Sequence, residues 1–66
     1  MKFQVKAQSN DAIVMTVEAD DIYEAVDKIS ERYPDSDISI RTGGSRIPAY
    51  FEDDMDYYDV YDVSDE

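Results

Sequence analysis

Two stretches near the beginning of the chain alternate between apolar and polar side chains. The apolar positions are Phe3, Val5 and Ala7 in residues 2–8, and Ile13, Met15 and Val17 in residues 12–18. A period of two is typical of a strand that buries one face. The Ser-Asn-Asp sequence at residues 9–11 favours a turn between the two strands. We therefore predict a β-hairpin whose two apolar rows face the core together.

Residues 20–33 change to the spacing of a helix. The apolar stripe comprises Ile22, Ala25, Val26, Ile29 and Tyr33, and the opposite side carries Asp20, Glu24, Asp27 and Glu31. Asp20 or Asp21 is the expected N-cap, and Glu24 lies at the position that completes a capping box with Asp21. Pro34 ends the helix because the residue before a proline is disfavoured in helical geometry. We expect the stripe to pack on a sheet.

The middle of the chain predicts more strand and a turn. Residues 37–41 alternate, with Ile38 and Ile40 facing inward, and residues 42–45 (Thr-Gly-Gly-Ser) favour a hairpin turn. Residues 46–51 have strand character. Pro48 cannot donate a hydrogen bond to a sheet, which restricts that strand to an edge or interrupts it.

These elements predict an α+β two-layer sandwich with a ββαβ core and either a fourth edge strand or a short C-terminal helix. We assign residues 1–51 to the ββαβ(β) domain and residues 52–66 to an acidic, tyrosine-rich C-terminal segment packed on it. At 66 residues the chain is near the lower limit for a single stable core. The core must therefore also include Ile47, Tyr50, Phe51 and some later tyrosines, or a homodimer must cover them.

Charge is concentrated in the C-terminal segment. Of the 17 carboxylates, eight lie in residues 52–66 with no base, which gives −8, while residues 1–51 have a net charge of −3. Within the segment, aspartates recur at every third position, and tyrosines and valines lie between them. The recurring residues are Asp53, Asp56, Asp59, Asp62 and Asp65, and the interleaved ones are Tyr57, Tyr58, Val60, Tyr61 and Val63.

Several function classes are disfavoured by composition. The chain has no Cys and no His, which removes the most common nucleophile, general base and transition-metal ligands. Asp54 and Asp56 lack the glycine and the final Glu of an EF-hand. We therefore expect a non-enzymatic protein with no cofactor and no metal site. The sequence has neither an apolar run of about 20 residues nor a signal-peptide pattern, so we expect a cytoplasmic protein.

A net charge of −11 repels DNA, RNA and anionic lipid. We therefore expect no direct binding to nucleic acid or to membranes, and a basic protein surface as the partner. In a helix, aspartates three residues apart would lie about 5–6 Å from each other, and in a strand about 10 Å. Either geometry predicts a row of charges that substitutes for phosphates. The alternatives are a different acidic binding surface and a solubilising tail.

In type, the chain resembles the small acidic proteins that phages and mobile elements encode to imitate DNA. These include inhibitors of uracil-DNA glycosylase, anti-restriction proteins, some anti-CRISPR proteins and blockers of nucleoid proteins. The resemblance depends on small size, the absence of Cys and His, and the clustered acids with interspersed tyrosines in residues 52–66. Such proteins share a strategy and no common fold. The resemblance implies an inhibitor of a basic nucleic-acid-binding protein, acting in the host cytoplasm.

The expected partner-binding residues are Glu52, Asp53, Asp54, Asp56, Tyr57, Tyr58, Asp59, Tyr61, Asp62, Asp65 and Glu66, extended by Glu24, Asp27 and Glu31 if the helix lies beside the segment. The competing hypothesis is a small adaptor or regulatory module. It would bind a partner through an exposed sheet edge or through the C-terminal tyrosines, and substitutions of Tyr57, Tyr58 and Tyr61 would then matter more than loss of charge.

Overall fold

The computed structural model describes residues 1–41, 43–44 and 46–64. In these ranges one helix packs on a five-stranded antiparallel sheet, which confirms the predicted α+β class. The elements are β1 (Lys2–Ala7), β2 (Ile13–Glu18), α1 (Ile22–Arg32), β3 (Ser39–Ile40), β4 (Ala49–Asp53) and β5 (Asp56–Asp62). The strand order across the sheet is β2-β1-β5-β4-β3. Within the described residues, no helix has the length and apolarity needed to cross a membrane.

The acidic segment supplies the centre of the sheet. β5 pairs with β1 on one side and with β4 on the other. The predicted fourth strand is present as β4, but its expected edge position is wrong because β4 lies between β5 and β3. The alternative of a short C-terminal helix is wrong as well, because Asp56–Asp62 form strand β5. The Val60 side chain is completely buried opposite Val5, as expected for a residue of a central strand.

The helix follows its predicted signals. Asp21 is the N-cap, and its carboxylate accepts a 2.8 Å hydrogen bond from the backbone N–H of Glu24. The last residue of the helix is Arg32, and the C-cap is Tyr33, immediately before Pro34; the Tyr33 N–H donates to the carbonyl oxygen of Ile29 at 3.0 Å. Ala25 and Ile29 are buried against the sheet. The helix therefore covers one face of the sheet, and no other helix within the described ranges covers the opposite face.

The core lies between α1 and the sheet. Its buried members are Phe3, Val5, Val17, Ala19, Ala25, Ile29, Ala49, Phe51 and Val60, and Met15, Ile22, Val26, Tyr33, Ile38 and Tyr58 pack around them. The predicted inward rows of β1 and α1 are confirmed. Sequence reasoning did not identify Val60 as a core residue, and Tyr50, which was expected in the core, is 40% exposed.

Ile13 is not in the core, so its predicted inward position is wrong. Val5 pairs with Met15, but the next residue, Lys6, pairs with Ile13, which places a β-bulge in β2 at Val14. A bulge inserts one residue and turns the side chains beyond it to the opposite face. Ile13 is consequently 53% exposed on the side of the sheet away from α1.

The described residues between β3 and β4 have the backbone geometry expected for the predicted turn. Gly43 and Gly44 have positive φ, at 102° and 78°, which glycine adopts without strain. Thr42 and Ser45 of the same turn lie outside the described residues. β4 begins directly after Pro48, whose carbonyl oxygen accepts a 2.7 Å hydrogen bond from the Arg41 N–H. Pro48 thus delays the start of the strand.

Candidate acidic binding surface

The aspartates of β5 do not form one row. Successive side chains in a strand point to opposite faces, so a period of three alternates between the faces. Asp59 pairs with Lys6 on the face away from α1, whereas Asp62 pairs with Phe3 on the face toward α1. The described aspartates therefore do not form the single row of charges that the spacing predicted.

A compact group of carboxylates does form at the β4–β5 turn. The Asp53 carboxylate accepts a 2.9 Å hydrogen bond from the Ser36 hydroxyl, which ties the loop after α1 to the turn. Asp54 and Asp56 are exposed beside Asp53. We call this group, with the two exposed aspartates that flank Ser36, the acidic pole; its members are Asp35, Asp37, Asp53, Asp54 and Asp56.

Three aromatic rings pack against one another next to the acidic pole, those of Tyr33, Phe51 and Tyr58. The Phe51 ring centroid lies 5.1 Å from that of Tyr33 and 5.1 Å from that of Tyr58. Burial raises the pKa of Tyr58, and the negative charge of Asp56 raises it further. Tyr58 therefore belongs to the support of the pole, and its substitution would test stability before binding.

The acidic side chains of α1 lie along the helix, and the last of them is at the end of the helix nearest to this pole. Glu24, Asp27 and Glu31 are exposed on the helix, and Glu24 to Glu31 spans roughly 10 Å at 1.5 Å per residue. Lys28 pairs with Glu24 at 3.5 Å between nitrogen and oxygen, so the charge at that end is partly compensated. We call Glu24, Asp27 and Glu31 the helix stripe. Because Tyr33 packs on Phe51, the C-terminal end of the stripe lies beside the acidic pole.

Four more of the predicted site residues lie on the uncovered side of the sheet, namely Glu52, Tyr57, Asp59 and Tyr61. We define the open face by Tyr50, Glu52, Tyr57, Asp59 and Tyr61, which share one side of β4 and β5. Acids and bases are balanced there, since Glu18, Glu52 and Asp59 are accompanied by Lys2, Lys6 and Arg41.

Side chains of the open face contact one another closely. The Lys6 ammonium lies 4.8 Å from the Tyr61 ring centroid, and the Gln8 side-chain amide donates a 3.0 Å hydrogen bond to Asp59. A hydrogen bond to Glu52, together with its negative charge, raises the pKa of Tyr57. This surface is aromatic and polar, and it is less negative than the acidic pole.

Asp62 lies at the far end of β5 from the pole. Its carboxylate accepts a 3.0 Å hydrogen bond from the Ser64 N–H, and hydrogen bonds from the Ser64 side chain and backbone lower the pKa of Asp62. Asp65 and Glu66 lie outside the described residues. The structure therefore distributes the predicted site over the pole, the helix stripe, the open face and this far end.

Two members of the pole, Asp35 and Asp37, were missed by sequence reasoning. The available signal was the Tyr33-Pro34 boundary, which returns the chain toward the sheet directly after the helix. Among the described residues, no group of three or more acidic side chains is arranged to hold a metal ion. Four of the five aspartates of the pole are exposed, and Asp53 is partly exposed.

Comparisons of the chain with protein-family models, with curated proteins and with solved structures return no match.

Proposed function

We propose that this chain is a non-enzymatic inhibitor that binds the basic surface of a nucleic-acid-acting protein in place of nucleic acid. The observation that supports this most strongly is the separation of charge. The acidic pole gathers five carboxylates at one end of the sheet, and the helix stripe adds three.

The positions of the bases strengthen this separation. Lys2, Lys6 and Arg41 lie on the open face, and Lys28 is paired within the stripe. The carbonyl oxygen of Arg46 accepts from the Asp62 N–H at the far end of β5. Arg32, whose guanidinium carbon lies 5.9 Å from the Tyr33 ring centroid, is the base nearest to the pole in sequence. A partner groove rich in Arg and Lys therefore meets little like charge at the pole.

Electrostatic attraction governs the encounter in this mechanism. Opposite potentials steer the two proteins together, so association is fast and weakens as salt rises. The protein itself does not bind nucleic acid or membranes, because both repel it. Targets of this kind are the cytoplasmic enzymes and nucleoid proteins on which anti-restriction, anti-CRISPR and host-takeover inhibitors act.

Capture from a nuclease-treated host lysate tests the proposal with two variants of equal charge. The pole variant carries Asp53→Asn, Asp54→Asn and Asp56→Asn, and the open-face variant carries Glu18→Gln, Glu52→Gln and Asp59→Asn. Each removes three negative charges. We expect the intact protein and the open-face variant to recover the same nucleic-acid-binding protein, which salt or competing DNA releases, and the pole variant to lose it. Equal recovery by all three would overturn the proposal.

A second candidate function is an adaptor that uses the open face. It is favoured by the exposure of Tyr50 and Tyr57, at 40% and 56%, on an otherwise charge-balanced sheet surface. Aromatic side chains are enriched in the buried centres of protein interfaces. In the same capture, this function predicts that Tyr50→Ser with Tyr57→Ser loses the partner while the pole variant keeps it.

A further inference from the structure

One row of side chains crosses the open face of the sheet at right angles to the strands. Residues paired across neighbouring strands share a face, and the registers join Ile13 to Lys6, Lys6 to Asp59 and Asp59 to Tyr50. The two ends of the row, Ile13 and Tyr50, are 53% and 40% exposed. The row is therefore apolar or aromatic at both ends and carries opposite charges at its centre.

This order of side chains is complementary to itself. A two-fold axis that runs parallel to the strands, midway between β1 and β5, exchanges the two halves of the row. If a second copy lies face to face on that axis, Lys6 of each copy faces Asp59 of the other, and Ile13 faces Tyr50. Each contact then occurs twice, as in every isologous interface. Packed sheets keep their strands within about 30° of each other, so contacts close to the axis keep this register.

The two central charges can accept partners from a second copy. The Lys6 ammonium lies 4.8 Å from the Tyr61 ring centroid, and Asp59 accepts a 3.0 Å hydrogen bond from Gln8. An ammonium has three donors and a carboxylate has about four lone-pair sites. Both groups can therefore form an ion pair with another chain and keep their contacts within their own chain.

The distribution of charge favours this face for self-association. Two copies of a chain with a net charge of −11 repel each other. The acidic pole and the helix stripe carry most of that repulsion, whereas three acids and three bases accompany one another on the open face. Two copies that meet through their open faces therefore place the fewest like charges in contact.

The open face is also large enough for a small interface. Five strands about 4.8 Å apart, with about five residues each at about 3.3 Å, cover roughly 400 Å² in projection. Side chains that stand out from the sheet raise the accessible area, so two faces bury close to the ~1,000 Å² that a specific interface needs. We therefore expect a weak dimer, with a dissociation constant on the order of 10–100 μM.

We propose that two copies of this chain associate through their open faces, with Lys6 of each copy paired with Asp59 of the other. The inference goes beyond the proposed function, because the acidic pole and the helix stripe lie outside the interface. An axis along the strands keeps both β4–β5 turns at the same end, so the dimer presents two acidic poles side by side. The dimer also covers the surface that the adaptor function needs free.

Sedimentation equilibrium of the full chain at about 150 mM salt tests the association. The chain has a mass of 7.6 kDa, and we expect twice this mass above roughly 100 μM. Amide spectra recorded during dilution should change most at Lys6, Ile13, Tyr50 and Asp59. A chain that stays monomeric at about 1 mM leaves the face free for a different partner and overturns the inference. Dilution shifts centred on the acidic pole would overturn it as well.

Two charge-reversal variants test the pairing itself. Lys6→Glu brings two acids together at each central contact, and Asp59→Lys brings two bases together, so each variant alone should associate at least about tenfold more weakly. In an equimolar mixture, the new glutamate of one variant faces the new lysine of the other, and the second contact keeps the natural pair. We expect this mixture to dimerise about as tightly as the parent.

Matched controls make the same changes of charge on the helix. Arg32→Glu and Asp27→Lys lie outside the open face, and each should dimerise like the parent. If both charge-reversal variants are folded and their mixture stays monomeric, or if the helix variants weaken association equally, the inference is wrong. Neither result would change the capture experiment, because binding through the acidic pole does not require a dimer.

Discussion

The Ser36 hydroxyl donates a 2.9 Å hydrogen bond to the Asp53 carboxylate, which joins the loop after α1 to the β4–β5 turn. Asp53 is only partly exposed, so this bond compensates for the removal of its charge from water. The same contact places Asp35 and Asp37 beside the turn. The Ser36 hydroxyl is thus a neutral hydrogen-bond donor among the negatively charged side chains of the acidic pole.

Removal of that donor is expected to destabilise the protein. Ser36→Ala leaves the Asp53 carboxylate without the bond, and hydrogen bonds to charged groups contribute about 1.5–3 kcal/mol. Because the pair is only partly buried, we expect a loss of about 1–2 kcal/mol in the free energy of unfolding, measured with urea. Ser9→Ala, in the exposed turn after β1, is the control. Equal stability of the two variants would contradict this role of Ser36.

The β4–β5 turn contains a strained residue. Asp54 and Met55 have φ of 51° and 68°, a left-handed conformation that asparagine, aspartate and glycine tolerate better than methionine. Met55 is 93% exposed, so its side chain adds little packing. We expect Met55→Gly to raise the free energy of unfolding by about 0.5–1 kcal/mol, whereas Met55→Ala, which keeps the Cβ, should not. A stabilising alanine would show that the strain is not the cause.

Because of the bulge in β2, we expect substitutions of two apolar residues of this strand to differ in their effect on stability. Ile13 is 53% exposed and Val17 is 3% exposed. Ile13→Thr should change the unfolding free energy by less than about 0.5 kcal/mol, whereas Val17→Thr should cost about 1–3 kcal/mol because it buries a hydroxyl. Urea unfolding of both variants checks this. A larger loss at Ile13 would place it back in the core.

The raised pKa values of Tyr57 and Tyr58 indicate that the free energy of unfolding falls at alkaline pH. The hydrogen bond to Glu52 raises the pKa of Tyr57, and burial raises the pKa of Tyr58. The unfolded chain therefore loses these protons first, near pH 10, so their contribution is present below pH 10 and lost as pH rises through the folded pKa values. Unfolding free energies between about pH 9 and 11 should fall less steeply in Tyr57→Phe with Tyr58→Phe. An unchanged slope would contradict the assignment.

Much of the fold follows from local pattern. The alternation of Phe3 and Val5, the apolar stripe around Ile29 and the cap at Asp21 each specify an element by themselves. Local pattern does not determine which strands are neighbours. In residues 56–62 the charged side chains concealed the alternation of Tyr58 and Val60, so the central strand was interpreted as an acidic surface segment.

The predicted single row of charges is wrong for a related reason. A spacing of three residues does not match the two-residue period of a strand, and the side chains of Asp59 and Asp62 therefore lie on opposite faces of the sheet. The acidic pole depends on a contact between Ser36 and Asp53, which are 17 residues apart, and no local signal specifies such a contact. The bulge at Val14 likewise depends on pairing with β1.

Displacement of DNA from the captured target tests the central claim most directly. A fluorescent duplex bound to that target would be titrated with the intact protein, the pole variant and the open-face variant, and anisotropy would be measured. Three surface charges at about 0.2–1 kcal/mol each amount to roughly a tenfold change. We predict that the intact protein and the open-face variant displace the duplex at similar concentrations, and that the pole variant requires about ten times more. A duplex that stays bound at saturating protein, or equal displacement by both variants, would contradict the account.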